Sequence, residues 1–470
     1  MKTLLKVGSL RFFHGAKYEI ADKTAFLELE LLADVPDRVL EHLETWEGLA
    51  GLNPAEALPG VPHEDWVGHF LVKGRGESRL ADVVGALLVV LHLWARLPVH
   101  KAQVVAVSRG RIRLALSWQR QAVFRETIDL MIGLVSTLAA APDGSSVEAG
   151  ELVGRFLGRV QRNGLAPNSM RFAIAAMERD MPVAVLNQQT LRIGWGAQAR
   201  KFKSSFTDQT SSLAERLVRN KLHCNQRLEQ ARLPVPKTRI AHSLQQAEAA
   251  AAALGWPVVV KPVGLDQGKG IDVGVSSSER LAQAFQAASE LQAGGVLIEG
   301  FVPGEDHRIL VVNGRMVMAC RRIPGGVTGD GTTTVRALLD QLNADPRRGT
   351  DPRSTLIHIP LDTEALSCLE EAGLTPDSIP QDDRFVPLRR TANISTGGTA
   401  MDVTEQIHPD NRIMAVRAAR IVGLDIAGVD FLCTDIGRSH REVGGAICEI
   451  NGQPGFRPHW LSAPGRDVNG

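Results

Sequence analysis

Cysteine is scarce in this 470-residue chain, and no two cysteines form a C-x-x-C motif. An odd number of cysteines, scattered along the sequence, does not suggest a disulfide framework. The simplest expectation is a reduced, cytoplasmic setting in which most of the thiols are buried. The five cysteines are Cys224, Cys320, Cys368, Cys433 and Cys448.

The sequence also lacks a long apolar run and an excess of one charge. Residues 1–7 contain no apolar block typical of a signal peptide. The most apolar run, Val83–Ala95, is too short to span a bilayer and contains His92, so it predicts a buried helix. The 53 basic and 52 acidic residues give a net charge of +1, which leaves no general attraction to nucleic acid or an anionic membrane. We therefore expect a cytoplasmic protein without nucleic-acid or membrane partners.

The length of the chain predicts more than one domain. The N-terminal region shows a helix pattern at Ser78–Leu97, a hairpin pattern at Val104–Ser117 and an amphipathic helix pattern at Arg120–Ala139. Pro142–Ser146 is the first credible linker. These patterns indicate a small α+β domain, which we place at residues 1–160 and in which we see no catalytic constellation.

Beyond the linker, strands and helices alternate. The patterns predict a helix at Ser211–Ala231, a strand at Thr238–Ala241, a helix at Leu244–Leu254 and a strand at Pro257–Pro262. We assign residues 161–470 to a second domain. The expected fold class is α/β, built from α+β lobes.

Three oxygen-bearing side chains near the C-terminus suggest a site for a hard cation. Glu449 and Asn451 are two residues apart in a β-prone run, so they point to one face of a strand. If Asp430 lies on a neighbouring strand, the three side chains converge, and their oxygens are of the kind that Mg²⁺ prefers. The alternative is that all three are ordinary polar positions on a solvated sheet face.

Lys261 ends an apolar strand and leads into a glycine-rich stretch at 263–270. Glycines allow backbone N–H groups to approach phosphate oxygens closely. The stretch is not a Walker A motif, because it is one residue short between Gly264 and Gly268, and Gly270 stands where Ser or Thr would bind metal. A strand follows, so the sequence predicts a flap between two strands. A purely structural hairpin is the alternative.

The next strand pattern, 296–300, passes into a segment that could offer backbone groups to an adenine edge and Glu299 or Glu305 to a ribose. Arg308, at the start of the following strand, is a fixed cation suited to a carboxylate or a transferring phosphoryl group. Three arginine pairs have no interleaved aromatic residues and favour an anionic-substrate cleft over a nucleic-acid surface. The pairs are Arg321-Arg322, Arg347-Arg348 and Arg389-Arg390.

The order of these motifs resembles that of the ATP-grasp superfamily, and further stretches closely resemble cyanophycin synthetase. The resemblance is dense from about residue 165 to 465 and fainter in the N-terminal region. It implies an ATP-grasp fold with a small N-terminal α+β domain, and ATP-dependent joining of a carboxylate to an amine through an acyl phosphate, with ATP and Mg²⁺ as cofactors. The stretches are Gly329–Thr333, Asn343–Gly349, Arg389–Gly398 and Ala427–Asp430.

The resemblance also implies roles for individual residues, in a reaction where positioning and charge neutralisation supply most of the catalysis. The residues implied in holding the substrate carboxylate or the acyl phosphate are Arg308, Ser395, Gly397 and Gly398. Those implied in binding the nucleotide are Lys221, Lys261, Gly264, Gly268, Lys269, Gly270, Glu299, Val302 and Glu305. Those implied in binding Mg²⁺ are Asp430, Glu449 and Asn451.

The sequence departs from that family in three places. The family carries a Mur-ligase-like half that adds arginine to the aspartate side chain, whereas this sequence ends at Gly470, where that half would begin, and has no Walker A lysine for it. The flap has Leu265-Asp266-Gln267 where Gly-Asn-His is expected, which predicts altered acceptor contacts. The N-terminal helix has Asp82, Gly85 and Ala86 in place of an H-x-x-E-H cluster, so we expect no metal-dependent hydrolysis there.

The expected function is an ATP-dependent ligase that adds an amino acid or a dipeptide, aspartate or β-aspartyl-arginine, to a peptide carboxylate. The chain could act with a separate Mur-ligase-like partner, join preformed dipeptides alone, or make a different amide. The rival class is a non-catalytic nucleotide-binding subunit of a larger synthetase. We expect an amino acid or peptide as the substrate and a homo-oligomer as the assembly.

Overall fold

The computed structural model divides the chain into two compact units, Met1–Ser204 and Ser205–Val468. Among the residues that the structure describes, no helix is both long and apolar enough to cross a membrane. Those residues are 3–15, 23–45, 71–72, 78–108, 110–141, 147–160, 164–187, 189–263, 270–291, 294–345, 347–350 and 355–462.

The N-terminal unit is an α+β structure. Its strands are β1 (Leu5–Phe13), β2 (Thr24–Leu31), β3 (Leu71–Val72), β4 (Ala102–Ser108), β5 (Arg111–Ser117), β6 (Val183–Val185), β7 (Thr190–Ile193) and β8 (Arg200–Lys203). Its helices are α1 (Asp37–Thr45), α2 (Arg79–Trp94), α3 (Gln121–Ala140), α4 (Val147–Val160) and α5 (Pro167–Met177), with a 3₁₀ turn at Gly196–Gln198. The first five strands form one sheet in the order β1-β2-β5-β4-β3, in which β3 and β4 are parallel.

The predicted apolar helix is confirmed as α2, the centre of this unit's core. Every side chain from Val83 to Ala95 is buried, and Ser78 caps the helix by accepting the N–H of Ala81 at 3.3 Å. The helix packs on β4, β5 and α3. The predicted hairpin and the predicted helix that follows it are confirmed as β4–β5 and α3.

The predicted boundary at residue 160 lies inside the N-terminal unit. Helix α5 and strand β6 pack on the same core as α2, through Ala173, Ala176 and Val183. This burial ties the described residues between 164 and 204 to the N-terminal unit. The assignment of a ligase domain to residues 161–470 stays a prediction.

The second unit contains two main sheets and an insertion. Its strands are β9 (Phe206–Thr207), β10 (Thr238–Ala241), β11 (Val258–Pro262), β12 (Asp272–Val275), β13 (Val296–Gly300), β14 (Glu305–Val312), β15 (Arg315–Ile323), β16 (Gly326–Thr328), β17 (Arg348–Gly349), β18 (Leu356–Ile357), β19 (Phe385–Pro387), β20 (Thr399–Asp402), β21 (Ile426–Cys433) and β22 (Ala446–Asn451). Its helices are α6 (Ser212–Arg219), α7 (Lys221–Gln230), α8 (Leu244–Leu254), α9 (Ser278–Leu291), α10 (Val335–Asn343), α11 (Thr363–Glu371), α12 (Pro409–Val422), α13 (His440–Val443) and α14 (Arg457–Ser462), with a 3₁₀ turn at Ile394–Thr396.

The smaller sheet has the order β10-β13-β11-β12 and is antiparallel where β11 pairs with β12 and β13. One face carries Val258, Val260 and Ile298 and packs with α8 and α9 in a small apolar core. The alternation of strand side chains therefore sends Lys261 and Glu299 to the other face.

The larger sheet has the order β20-β15-β14-β21-β22. One face is apolar, with Ile309, Val429 and Phe431 fully buried, and it is covered by α12. The strand residues between these apolar positions point to the opposite face. They include Arg308 and Asp430, and Asp306, Arg322 and Glu449 lie on the same side, so we call it the charged face.

An insertion, residues 324–398, joins β15 to β20. It holds a core of its own, to which Val335, Leu339, Leu369 and Val386 contribute. Its ends meet, because Ile323 pairs with Thr399 across the two strands.

The predicted helix Ser211–Ala231 is wrong as a single element. The chain breaks at Asn220, which has φ −103° and ψ 94°, into α6 and α7. The Asn220 side chain accepts the N–H of His223 at 3.0 Å, so it caps the second helix. Asparagine competes well for such capping positions, and the break places Lys221 at the first position of α7.

Candidate active site

The charged face of the larger sheet brings four of the predicted site residues together. Arg308 on β14 lies directly opposite Asp430 on β21, and Asp430 lies directly opposite Glu449 on β22. Asn451 pairs with Gly428, so it lies on the same face two residues along. The expectation that Asp430 and Glu449 occupy neighbouring strands is confirmed.

Asp430 is the most heavily engaged of these residues. It is 5% exposed and accepts two hydrogen bonds from Arg308, from Nε and, at 3.1 Å, from Nη2. Arg322 Nη2 donates to the same carboxylate at 3.0 Å, and Asn451 Nδ2 does so at 3.4 Å. A buried charge needs such partners, and here two guanidinium groups provide them.

Arg322 also binds a second carboxylate, which is half-buried. Its Nη2 lies 2.8 Å from each oxygen of Asp306. Burial acts to raise the pKa of Asp430, but Arg308 and Arg322 outweigh it and hold the pKa below its usual value. Burial dominates at Asp306 and raises its pKa in spite of Arg322. The Arg322 guanidinium thus contacts two carboxylates whose pKa values are shifted in opposite directions, upward at Asp306 and downward at Asp430.

Lys221 approaches this face from the start of α7. Its Nζ lies 3.2 Å from Glu449 Oε1, and its side chain is 10% exposed. The charge of Glu449 and, above all, burial raise the pKa of the nearby Cys224 thiol to about 11. Because Lys221 directly follows the helix break at Asn220, the break places the Lys221 ammonium group beside Glu449.

Lys261 and Glu299 form a second buried pair, on the smaller sheet. The distance from Lys261 Nζ to Glu299 Oε1 is 2.7 Å, and Thr238 Oγ1 donates to the same oxygen at 3.2 Å. Burial raises the pKa of the Cys448 thiol, which also feels the charges of Lys261 and Asp430. The face of the smaller sheet that carries Lys261 and Glu299 therefore lies near the charged face of the larger sheet.

The donor chemistry of this region fits a hard cation. Asp430 and Glu449 are opposed carboxylates and Asn451 adds an amide, all oxygen ligands of the type that Mg²⁺ takes. Across the described part of the chain, no cluster of three or more His, Cys, Asp or Glu side chains could hold a metal ion. The candidate Mg²⁺ ligands are thus two carboxylates and one amide. One of the carboxylates, Asp430, also accepts hydrogen bonds from Arg308 and Arg322.

The Ser395–Gly398 segment lies at the end of the insertion, directly before β20. Ser395 is part of the 3₁₀ turn, and Gly397 follows with φ +97°, a conformation that glycine adopts readily. Arg348 Nη1 donates to Gly397 O at 3.2 Å and to Ile357 O at 2.7 Å, which fixes the segment to the insertion. Arg322 Nη1 lies 3.5 Å from Asn393 Oδ1, close to where this segment begins.

The remaining predicted nucleotide residues have varied surroundings. Glu305 lies on the strand face opposite to Arg308, with its Oε1 2.5 Å from Arg321 Nη1. Val302 lies in the link between β13 and β14, and Gly270 has φ +70° just before β12. The flap lies between two paired strands, as predicted, but most of it falls outside the described residues, including Gly264, Gly268 and Lys269.

Sequence reasoning did not single out Arg322 individually. Asn313-Gly314 is a residue pair typical of tight hairpin turns, and counting back from it places Arg321 opposite Asp306. A bulge between Leu310 and Val311 shifts the register by one residue, so that Arg322 lies opposite Asp306. No sequence signal marks this bulge.

The arginine pairs do not act alike. Arg389 is 4% exposed and bonds Asp362 and the Pro360 carbonyl, so it is a structural residue of the insertion. Arg390 binds Glu371 at 2.7 Å. The prediction of an anionic-substrate cleft is wrong for Arg389, whose guanidinium is buried inside the insertion, and stays a prediction for the exposed Arg390.

Comparison with known proteins adds a family context to this geometry. A RimK-like ATP-grasp domain matches residues 218–331. The cyanophycin synthetase of Nostoc sp. is 37% identical over 453 residues, which cover 94% of this chain and 49% of that protein. The cyanophycin synthetase of Crocosphaera subtropica is 32% identical over 459 residues, which cover 94% and 51%. The chain spans about half the length of the curated relatives it matches.

A solved structure shows the same fold. The bifunctional glutathione synthetase from Pasteurella multocida aligns with 93% of this chain and 79% of its own, with a TM-score of 0.50 and 18% sequence identity. Together with the domain match, this alignment identifies the ATP-grasp fold. The expected α/β fold with a small N-terminal α+β domain is confirmed.

Proposed function

This chain is an ATP-grasp protein related to the cyanophycin synthetases along 94% of its length, and from that premise we propose that it is an ATP-dependent carboxylate–amine ligase. The γ-phosphoryl group of ATP passes to a substrate carboxylate, giving an acyl phosphate and ADP. The amine of an amino acid or dipeptide attacks the acyl carbon and loses a proton, phosphate leaves, and an amide bond forms. The observation that carries the proposal is the register of Arg308, Asp430 and Glu449 on one charged face.

Charge balance supports a divalent cation as the companion of ATP. Four cationic and four carboxylate side chains pair with one another in the site, so these eight carry no net formal charge before nucleotide binds. A triphosphate adds several negative charges, and phosphoryl transfer requires their neutralisation. We propose that Asp430, Glu449 and Asn451 hold Mg²⁺, which would supply that neutralisation when bound. The balanced side chains are Lys221, Lys261, Arg308, Arg322, Glu299, Asp306, Asp430 and Glu449.

The two lysines are suited to hold phosphates. Lys221 pairs with Glu449 and Lys261 pairs with Glu299, and the two lysine side chains are 10% and 9% exposed. We propose that phosphate oxygens compete for these ammonium groups when ATP binds. The contacts proposed for the flap, for Val302 and for Glu305 stay predictions.

The substrate is proposed to be a peptide carboxylate that receives aspartate or β-aspartyl-arginine. Arg308 and the Ser395–Gly398 segment are proposed to hold the carboxylate and the acyl phosphate, where fixed donors stabilise developing charge. The resemblance to cyanophycin synthetases supports this substrate class. The cytoplasmic location, the homo-oligomer and the separate Mur-ligase-like partner stay predictions.

The proposal is tested by ADP release with aspartate, β-aspartyl-arginine and short cyanophycin primers, singly and paired, across a Mg²⁺ titration. We expect release to require a carboxylate and an amine together. Glu449→Gln should lower the rate by about 100-fold or more, since it removes a charge beside the transferred phosphoryl group. Glu442→Gln, an exposed glutamate paired with Arg438, is the control and should keep the rate. ATP binding without ADP release in every pairing would favour the non-catalytic subunit.

A further inference from the structure

Helix α14 covers the charged face beside β15 and β20. His459, in this helix, is 1% exposed. Its ring feels the charges of Arg308, Asp402 and Asp430, which all lie on the charged face of the sheet. The ring is therefore buried beside the candidate active site and shielded from bulk water.

The His459 ring has no hydrogen-bond partner at either nitrogen among the residues that the structure describes. Burial, followed by the charge of Arg308, lowers the pKa of His459 to about 3, so the ring is neutral at physiological pH. A neutral imidazole presents one donor and one acceptor. Buried polar groups are rarely left without hydrogen-bond partners. The two ring nitrogens can therefore bind a ligand group that supplies one acceptor and one donor.

We propose that His459 is a substrate-binding residue that hydrogen-bonds a peptide amide of the carboxylate substrate. An amide supplies a carbonyl acceptor and an N–H donor, which match the two ring nitrogens. This inference rests on the proposed ligase function, because it assigns the ring to the peptide and leaves ATP to other residues.

The position of α14 favours the peptide over the nucleotide. The helix packs on β20, which begins directly after the Ser395–Gly398 segment. Arg457, two residues before His459, donates from Nε to Thr355 O in the insertion at 3.0 Å. Lys221 and Lys261, proposed for the phosphates, lie on other elements, α7 and β11.

The test is calorimetric binding of a short cyanophycin primer to the full chain without ATP, so that it does not depend on turnover. His459→Leu should weaken primer binding about tenfold, the loss of roughly one neutral hydrogen bond, and leave ATP affinity unchanged. His459→Gln keeps an amide donor and acceptor and should restore most of the affinity. His307→Leu is the matched control: His307 is fully buried on the apolar face of the same sheet, and its loss should not change primer affinity.

Stability separates this role from a structural one. Leucine removes two unpaired polar groups, so urea unfolding of His459→Leu should occur at the same or a higher midpoint. A lower midpoint with unchanged primer affinity would overturn the inference, as would equal losses for primer and ATP, or a wild-type chain that binds no primer. A wild-type chain that binds primer but releases no ADP would reject the ligase function, while the His459 comparison would still decide the inference.

Discussion

Arg308 and Asp430 stand directly opposite each other on neighbouring antiparallel strands, and two hydrogen bonds join their buried side chains. Neither residue needs a loop to reach the other, because the backbone register alone aligns them. The pair is the fixed centre of the charged face. The two neighbours of this pair, Arg322 and Asn451, both donate to the same carboxylate.

Breaking this pair on one side should destabilise the second unit. Arg308→Met leaves Asp430 buried with Arg322 as its main cation, and we expect a loss of about 3 kcal/mol in the free energy of unfolding. Arg308→Met combined with Asp430→Leu should lose less than the sum of the single changes, since no unpaired charge remains. Urea unfolding in a double-mutant cycle measures the difference. Additive losses would contradict the pairing.

The break at Asn220 should matter for nucleotide binding as well as for stability. Asn220→Ala removes the cap of α7, so we expect a loss of about 1 kcal/mol and a raised KM for ATP, because Lys221 is the next residue. Ser243→Ala removes a comparable cap from α8. It should cost similar stability and leave the KM unchanged. Equal KM values for the two variants would show that the break does not position Lys221.

Gly428 should tolerate no side chain. A Cβ there would lie 2.8 Å from Pro454 Cβ and 3.1 Å from Arg308 Cδ, so Gly428→Ala must displace one of them. We expect ADP release to fall by about 100-fold, the usual effect of misplacing an active-site group by about 1 Å. Gly154→Ala, on α4, meets nothing within 4 Å and should keep the activity. Wild-type rates for Gly428→Ala would remove Arg308 from the proposed machinery.

His92 should make the stability of the N-terminal unit depend on pH. Burial lowers its pKa from 6.5 to about 4, so the folded unit resists protonation of this ring. The stabilisation is present above pH 6.5 and is lost as the pH falls from 6.5 towards 4, by roughly 3 kcal/mol in total. Urea unfolding of wild type and His92→Leu between pH 7 and pH 4 measures the difference. Parallel pH dependences would contradict this assignment.

The sequence predicted the parts of the fold that short-range patterns encode. The continuous apolar run of α2 and the turn residues of the β14–β15 hairpin each indicate their element locally. The two-residue spacing of Glu449 and Asn451 likewise fixed their common face. These features depend only on neighbours in the chain.

Long-range features escaped prediction. The bulge that turns Arg322 towards Asp306 depends on how two strands pack, and a single-residue shift reverses which arginine faces the site. The burial of His459 depends on where the short helix α14 packs against the larger sheet. The break at Asn220 divided a pattern that looked continuous, because one capping side chain outweighed helix propensity.

The insertion 324–398 leaves and re-enters the larger sheet at neighbouring points, Ile323 and Thr399, and carries its own core. The insertion is therefore a separate substructure, attached to the larger sheet at these two points. Changes within its separate core are therefore expected to leave the strands that carry Arg308 and Asp430 in place. Only a replacement that keeps the Ser395–Gly398 segment, which is proposed to hold the acyl phosphate, would change the insertion without changing the proposed phosphoryl chemistry.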